Sequence, residues 1–138
     1  KQFVGVWELV SWTNHWDDGT SSPNRRSVGY IIYTEGGHMC WTGMDPNRPQ
    51  WASEGDPTES ELASTIFGAA AYCAKVEIHA DEGFVLHHVQ SAIWPGAAGS
   101  TWKRNFVFDG PDRLTLSEDP AGLSPPLIGS VLVWQRIE

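Results

Sequence analysis

Two adjacent histidines, His87 and His88, are the side chains in this chain best suited to acid–base chemistry. Imidazole titrates near neutral pH, so a histidine placed beside a ligand would move a proton as general acid or base. Both lie in an apolar, strand-like run, and neighbouring residues of a strand point to opposite faces. Only one of the two therefore faces the interior of a sheet, unless a bulge intervenes.

The turn that precedes this run decides which histidine faces inward. A four-residue turn over Ala80–Gly83 puts His87 inside, whereas a three-residue turn with a glycine bulge puts His88 inside. We favour His87, because Val85 and Val89 make its face of the strand apolar. A buried histidine that only hydrogen-bonds a neighbour is the alternative to a catalytic one.

Two further polar side chains lie on inferred inner faces nearby. Arg104 shares a face with Trp102 and Phe106, and a buried arginine needs a partner such as a ligand carboxylate, enolate or phenolate. An internal salt bridge, or an outward face on which the arginine snorkels, explains the same pattern. Tyr72 could donate to a ligand carbonyl, although a core tyrosine with a satisfied hydroxyl is the plainer interpretation. The candidate catalytic residues are His87, His88, Arg104 and Tyr72.

Aromatic side chains are abundant, and eight tryptophans are many for 138 residues. Cavities that bind planar hydrophobic ligands are lined by such rings, while packing of a small core accounts for some of them. Trp51 and Trp94 lie in loop segments, so we expect them at the mouth of a cavity. The candidate ligand-binding residues are Tyr30, Tyr33, Trp41, Trp51, Trp94, Trp102 and Phe106.

The segments that must position these residues have the alternating or β-branched patterns of short strands. Eight strands are predicted, at Phe3–Trp12, Val28–Thr34, His38–Met44, Tyr72–His79, Phe84–Ser91, Thr101–Phe108, Arg113–Ser117 and Ser130–Ile137. One helix is predicted over Glu59–Ala70, because Thr58 and Glu61 match a capping box. The predicted loops are Asn14–Ser27, Asp45–Pro57 and Glu118–Gly129. Eight antiparallel strands can close around one small ligand, so we predict a single all-β barrel over residues 1–138.

Composition and motifs exclude several classes of function. A net charge of −8 argues against nucleic acid or an anionic membrane as a partner, and no stretch approaches the ~18 apolar residues of a membrane span. The chain has no glycine-rich phosphate loop, nucleophile elbow or spaced Cys/His motif, so we expect no cofactor and no metal. The oligomeric state is left open, a homodimer included.

The two cysteines, Cys40 and Cys73, are too few for a disulfide framework, and both fall in predicted strands. We favour buried free thiols and leave a bridge between the two cysteines open as the alternative. The rarity of disulfides in cytosolic chains goes with a cytoplasmic protein. No basic-then-apolar leader is visible at the start of the chain, although processing can remove one.

The ordered pattern resembles the lipocalin-like (calycin) group, and more closely the compact lipocalin-like domain family of bacteria and fungi. Gly5-Val6-Trp7 matches the G-x-W of lipocalins, and Arg136 stands where such barrels place an arginine over that tryptophan. Phrases at Val28–Thr34, His87–Val89 and Arg113–Leu116 also resemble the compact family. The resemblance implies an eight-stranded antiparallel lipocalin-like barrel, with one short helix inserted before the central hairpin.

Analogy with small calycin-like barrels that act as enzymes implies a function. We expect a cofactor-independent cyclase, isomerase or dehydratase that acts on a small hydrophobic, polyketide- or terpenoid-like metabolite of secondary metabolism. The inward histidine would move a proton, while Arg104 and Tyr72 would stabilise negative charge on oxygen. The alternatives are a non-catalytic binder or carrier of a similar ligand, and a structural protein whose barrel is filled by its own side chains.

Overall fold

The computed structural model describes the whole chain, residues 1–138, and one antiparallel sheet makes up most of it. Its strands are β1 (Gly5–Trp16), β2 (Ser21–Pro23), β3 (Val28–Tyr33), β4 (His38–Met44), β5 (Ala69–His79), β6 (Phe84–Ala92), β7 (Thr101–Phe108), β8 (Arg113–Glu118) and β9 (Leu127–Arg136). One helix, α1 (Glu59–Phe67), and two 3₁₀ turns, Ala80–Glu82 and Pro120–Gly122, complete the regular structure.

The sheet closes on itself because β9 returns to pair with β1. From β3 to β9 each strand pairs with the next along the chain, and β3 also pairs with β1, so eight strands form a closed barrel. The three-residue β2 only extends the edge of β1. The predicted eight-stranded antiparallel barrel with one inserted helix is confirmed.

Several element boundaries differ from the prediction, and in three regions the reason is strand pairing that reaches beyond the obvious pattern. The predicted loop Asn14–Ser27 contains the end of β1, which pairs with β9, and the whole of β2, which pairs with β1. The helix ends before Gly68, because Ala69 and Ala70 already pair with β4. The predicted loop Glu118–Gly129 contributes its first residue to β8 and its last three to β9.

One end of the barrel is plugged by aromatic rings. The ring of Phe3 lies 5.0 Å from that of Tyr33, 4.9 Å from that of Phe106 and 5.0 Å from that of Phe108, measured between centroids. The indole N–H of the fully buried Trp7 donates to the Phe3 carbonyl at 2.8 Å. This end of the interior is therefore solid core.

The Gly5-Val6-Trp7 motif and Arg136 meet at this closed end. The guanidinium carbon of Arg136 lies 4.2 Å from the centroid of the Trp7 ring, a cation–π contact, as the resemblance implied. Arg136 also donates to the carbonyls of Gln2 and Val4. Gly5 is required here, because its φ is +138° and a Cβ would lie 2.4 Å from the Glu138 carbonyl oxygen.

A disulfide bond joins Cys40 and Cys73, so the prediction of buried free thiols is wrong. The two cysteines are directly opposite each other on β4 and β5, and Cys40 is exposed on the outer face. The register that brings residues 33 positions apart into contact is not visible in the cysteine spacing. The expectation of a cytoplasmic protein rested on free thiols and loses that support. No helix is long and apolar enough to cross a membrane.

Candidate functional site

A cavity of about 760 Å³ opens at the other end of the barrel, where β1 ends and β9 begins. An inner chamber of about 60 Å³ lies next to it and shares six lining residues with it. The shared residues are Trp12, Trp41, Tyr72, Arg104, Glu118 and Ser130. Trp134 lines the inner chamber only, and its buried indole N–H has no hydrogen-bond partner within the protein. The interior of the barrel is therefore filled by side chains at one end and contains an open cavity at the other.

Five aromatic rings form a continuous arc around the cavity. Successive centroids are 5.4 Å apart from Trp12 to Trp41, 5.5 Å from Trp41 to Tyr72, 4.8 Å from Tyr72 to Trp102 and 5.9 Å from Trp102 to Trp94. These edge-on and tilted contacts hold each ring against the next. Of the aromatic residues proposed from the sequence, Trp41, Trp94, Trp102 and Tyr72 line the cavity.

Trp12 is a cavity residue that the sequence pattern missed. Strict alternation along β1 puts Trp12 on the opposite face from Trp7 and Leu9. The structure has a register shift between Leu9 and Ser11, and Val10 is exposed. This bulge returns Trp12 to the inner face, where its N–H donates to the Ser130 hydroxyl at 2.8 Å.

Four predicted ligand-binding residues lie away from the cavity. Tyr30 is on the outer face and 43% exposed, because it is three residues from the inward Tyr33. Trp51 lies in a separate surface groove of about 560 Å³, where its N–H donates to Thr65 of the helix at 3.0 Å. Phe106 packs in the closed end, and Tyr33 is buried in the core.

His87 is fully buried and has a hydrogen bond at each ring nitrogen. The four-residue turn gives the expected register, with Val76 opposite His87. Its Nδ1 lies 2.7 Å from the Tyr72 hydroxyl and its Nε2 lies 2.9 Å from the Tyr33 hydroxyl. Burial, with smaller contributions from the charges of Arg104 and His88, lowers the pKa of His87 to about 3. His87 is therefore a neutral imidazole that donates through one nitrogen and accepts through the other.

Tyr72 is the only member of this trio that lines the cavity. Burial raises the pKa of Tyr72 to about 12, against a lowering influence of Arg104, and burial also raises the pKa of Tyr33. Both phenols are thus protonated at neutral pH. When Tyr33 donates to Nε2, the Nδ1–H of His87 donates to Tyr72, whose own O–H is then free to donate to a ligand.

Arg104 forms an internal salt bridge, one of the alternatives that the sequence left open. Its Nη2 lies 2.7 Å from Oε1 of Glu118, and the two side chains are only 15% and 21% exposed. Both line the cavity and the inner chamber. Glu118 was missed because we ended the strand at Ser117. Extending the alternation of Leu114 and Leu116 by one more step places Glu118 on the same inner face.

His88 points outward and does not reach the cavity. Its ring nitrogens contact Thr101 at 3.0 Å and Glu77 at 3.1 Å on the outer surface. His88 is therefore misplaced as a candidate catalytic residue, because adjacent strand residues face opposite sides. No group of three or more His, Cys, Asp or Glu side chains is placed to hold a metal ion.

The chain is similar to known proteins over almost its whole length. The family model described as a lipocalin-like domain matches residues 4–137. Among solved structures, a redesigned β-barrel is similar, with 13% sequence identity and a TM-score of 0.47, over 99% of this chain and 93% of that one. No curated protein matches the chain.

Proposed function

Because the chain belongs to the lipocalin-like domain family, we propose that it binds a small, flat, largely apolar metabolite in the cavity and moves a proton on it. The reaction is a cofactor-independent isomerisation, cyclisation or dehydration of a polyketide- or terpenoid-like compound. The observation that carries the proposal is the position of Tyr72. Its hydroxyl is held by the buried His87 and lies at the wall of a cavity that Arg104 and Glu118 also line.

The apolar part of the ligand packs against the aromatic arc. Indole faces of Trp41, Trp94 and Trp102 offer large, rigid contact areas that lose little conformational entropy on binding. A volume of about 760 Å³ suits a molecule of a few fused or conjugated rings. The arc fixes the plane of the ligand, so that its polar end is directed toward Tyr72.

The polar end of the ligand is a carbonyl group next to an acidic C–H bond. Tyr72 donates its hydrogen bond to the carbonyl oxygen, and the Glu118 carboxylate removes the proton from the neighbouring carbon. The electron pair of that C–H bond moves to the oxygen and forms an enolate, which Tyr72 and the released positive charge of Arg104 stabilise. Glu118 then returns the proton to another carbon of the conjugated system, which completes an isomerisation.

His87 is a positioning residue in this mechanism rather than the base expected from the sequence. A pKa of about 3 makes its imidazole a weak base, and Tyr72 separates it from the cavity. Its Nδ1–H orients the Tyr72 oxygen, which leaves the phenol hydrogen directed at the ligand. In this arrangement the Tyr33 hydroxyl donates to the opposite nitrogen, Nε2, and the His87 proton lies on Nδ1.

A non-catalytic binder or carrier is the second candidate, and one observation favours it. The polar groups assigned to the reaction already have partners inside the protein, since Arg104 pairs with Glu118 and Tyr72 hydrogen-bonds His87. Such a completed network serves as a set of specificity contacts without any turnover. The same cavity then returns its ligand chemically unchanged.

The experiment that tests the proposal has two stages. Native mass spectrometry of protein purified from the cells that make it, followed by extraction, identifies the co-purifying compound. That compound and its precursor are then incubated with the protein in D₂O, and ¹H NMR follows deuterium at the carbon next to the carbonyl. Incorporation that depends on Glu118, and is lost in Glu118→Gln, supports the enzyme. Stoichiometric binding without incorporation or conversion supports the carrier.

A further inference from the structure

Arg26 lines the cavity at the Trp12 end of the aromatic arc. Its guanidinium carbon lies 4.5 Å from the centroid of the Trp12 ring, and its Nε donates to the Asn24 side chain at 3.1 Å. The stacking on Trp12 and the hydrogen bond from Nε together fix the plane of the guanidinium group. The terminal Nη groups make no hydrogen bond to the protein.

The charges around the cavity do not balance. Three basic side chains, Arg26, Lys103 and Arg104, line it with two acidic ones, Glu118 and Asp119. Both carboxylates already form salt bridges, since Arg104 pairs with Glu118 at 2.7 Å and Lys103 pairs with Asp119 at 3.7 Å. Arg26 is left without an ion pair, in a chain whose net charge is −8.

Partial burial makes the charge of Arg26 less favourable than that of a fully solvated arginine. Arg26 is half-buried, and burial together with the neighbouring Arg25 charge lowers its pKa. The geometry presents a stacked guanidinium with a free donor edge, which matches the two oxygens of a carboxylate.

We infer that the ligand is an organic anion, with a flat apolar body on the aromatic arc and a carboxylate, or a comparable acidic oxygen group, bound by Arg26 at the cavity mouth. This inference rests on the proposed function and specifies the substrate class of the same site. The anionic group stays at the mouth, while the reacting carbonyl lies deeper beside Tyr72. The local positive charge selects this anion against the repulsion of the chain as a whole.

The test compares two probes of nearly equal shape, 2-naphthoate and its neutral amide, 2-naphthamide. Isothermal titration calorimetry gives the dissociation constant of each probe for the intact protein and for three variants. We expect the protein to bind naphthoate about tenfold more tightly than naphthamide. Arg26→Gln removes this preference, and the naphthamide binding that persists in this variant shows that the cavity is still formed. Arg26→Lys retains part of the preference.

Arg25→Gln is the matched control, because Arg25 is exposed, adjacent in sequence and absent from the cavity lining. It removes the same net charge and is expected to leave the preference intact. The inference is overturned if the unaltered protein binds the two probes equally, or if Arg25→Gln and Arg26→Gln have equal effects. In either case, binding of naphthamide would still support the proposed cavity. Failure of both probes to bind overturns the inference and the binding function together.

Discussion

Tyr72 links two environments through one phenol oxygen, the buried imidazole of His87 on one side and the cavity on the other. We predict that Tyr72→Phe slows ligand proton exchange by about 10²–10³-fold, because one donor to the developing oxyanion is lost. Binding of a neutral apolar probe is expected to change little, since the ring remains. Deuterium incorporation by NMR and probe titration measure the two effects separately.

Tyr30→Phe is the control for this variant, because Tyr30 lies on the outer face. It should leave both exchange and binding as they are. Unchanged exchange in Tyr72→Phe would remove Tyr72 from the mechanism and favour the carrier.

The buried, neutral state of His87 makes stability depend on pH. An unfolded histidine takes up a proton as the pH falls below about 6.5, whereas folded His87, with its pKa lowered to about 3, stays neutral. Its contribution to stability is therefore complete above pH 6.5 and is lost progressively between pH 6.5 and 3. We expect the free energy of unfolding to fall by up to about 1.4 kcal/mol per pH unit over this range.

Urea unfolding between pH 6.5 and 4.5 measures this slope. Hydrogen bonds lower the pKa of exposed carboxylates such as Asp18 and Glu61, so these groups take up protons at a lower pH than ordinary carboxylates do. His87→Gln, which does not titrate, should flatten the slope, and the outward His88→Gln should retain it. A slope that survives in His87→Gln would assign it to other groups.

At the scale of elements, the disulfide joins two strands that already pair. Cross-linking Cys40 to Cys73 closes a loop with a sequence separation of 33 and so restricts the unfolded chain. We predict that reduction lowers the free energy of unfolding by about 3–4 kcal/mol. Thermal or urea unfolding with and without dithiothreitol measures the change.

The double variant Cys40→Ser/Cys73→Ser should match the reduced protein and show no further response to dithiothreitol. A response of the double variant to reductant would contradict this account. The cavity lies inside the barrel and Cys40 on its outer face, so ligand binding is expected to survive below the new unfolding transition.

Strand periodicity also explains which parts of the site were predictable. Alternation and turn length predict the His87 orientation, because the β5–β6 pairing is regular from the turn as far as Val89 and its register depends on local residues. Alternation failed for Trp12, because a bulge in β1 depends on simultaneous pairing with β3 and β9. The inward position of Glu118 was not predicted, because Glu118 is the last residue of β8 and a proline-containing segment follows it.

At the scale of the whole molecule, closure of the barrel depends on contacts between its first and last residues. Arg136 on β9 donates to the carbonyls of Val4 and Gln2 and stacks on Trp7 of β1. We predict that Arg136→Lys lowers the free energy of unfolding by about 1–3 kcal/mol, because lysine cannot reproduce the planar fork of donors. Chemical denaturation measures the loss.

Arg113→Lys on the neighbouring β8 is a control that keeps the same exchange of side chains and should change stability little. An equal loss in the two variants would mean that the contacts at Trp7 have no special weight.

The barrel itself was predictable because eight short strands, the Gly5-Val6-Trp7 motif and Arg136 all indicate one topology. The disulfide was not, because cysteine spacing carries no information on register.

Because the aromatic rings around Phe3 fill one end of the barrel, the cavity opens to solvent at the other end. A compound that enters must leave by the same route, and no second molecule can follow until it has gone. For an enzyme built this way, product competes with substrate for the free protein, so product inhibition takes the competitive form. For a carrier, the rate of unloading depends on the loops around that opening and on what meets it from outside.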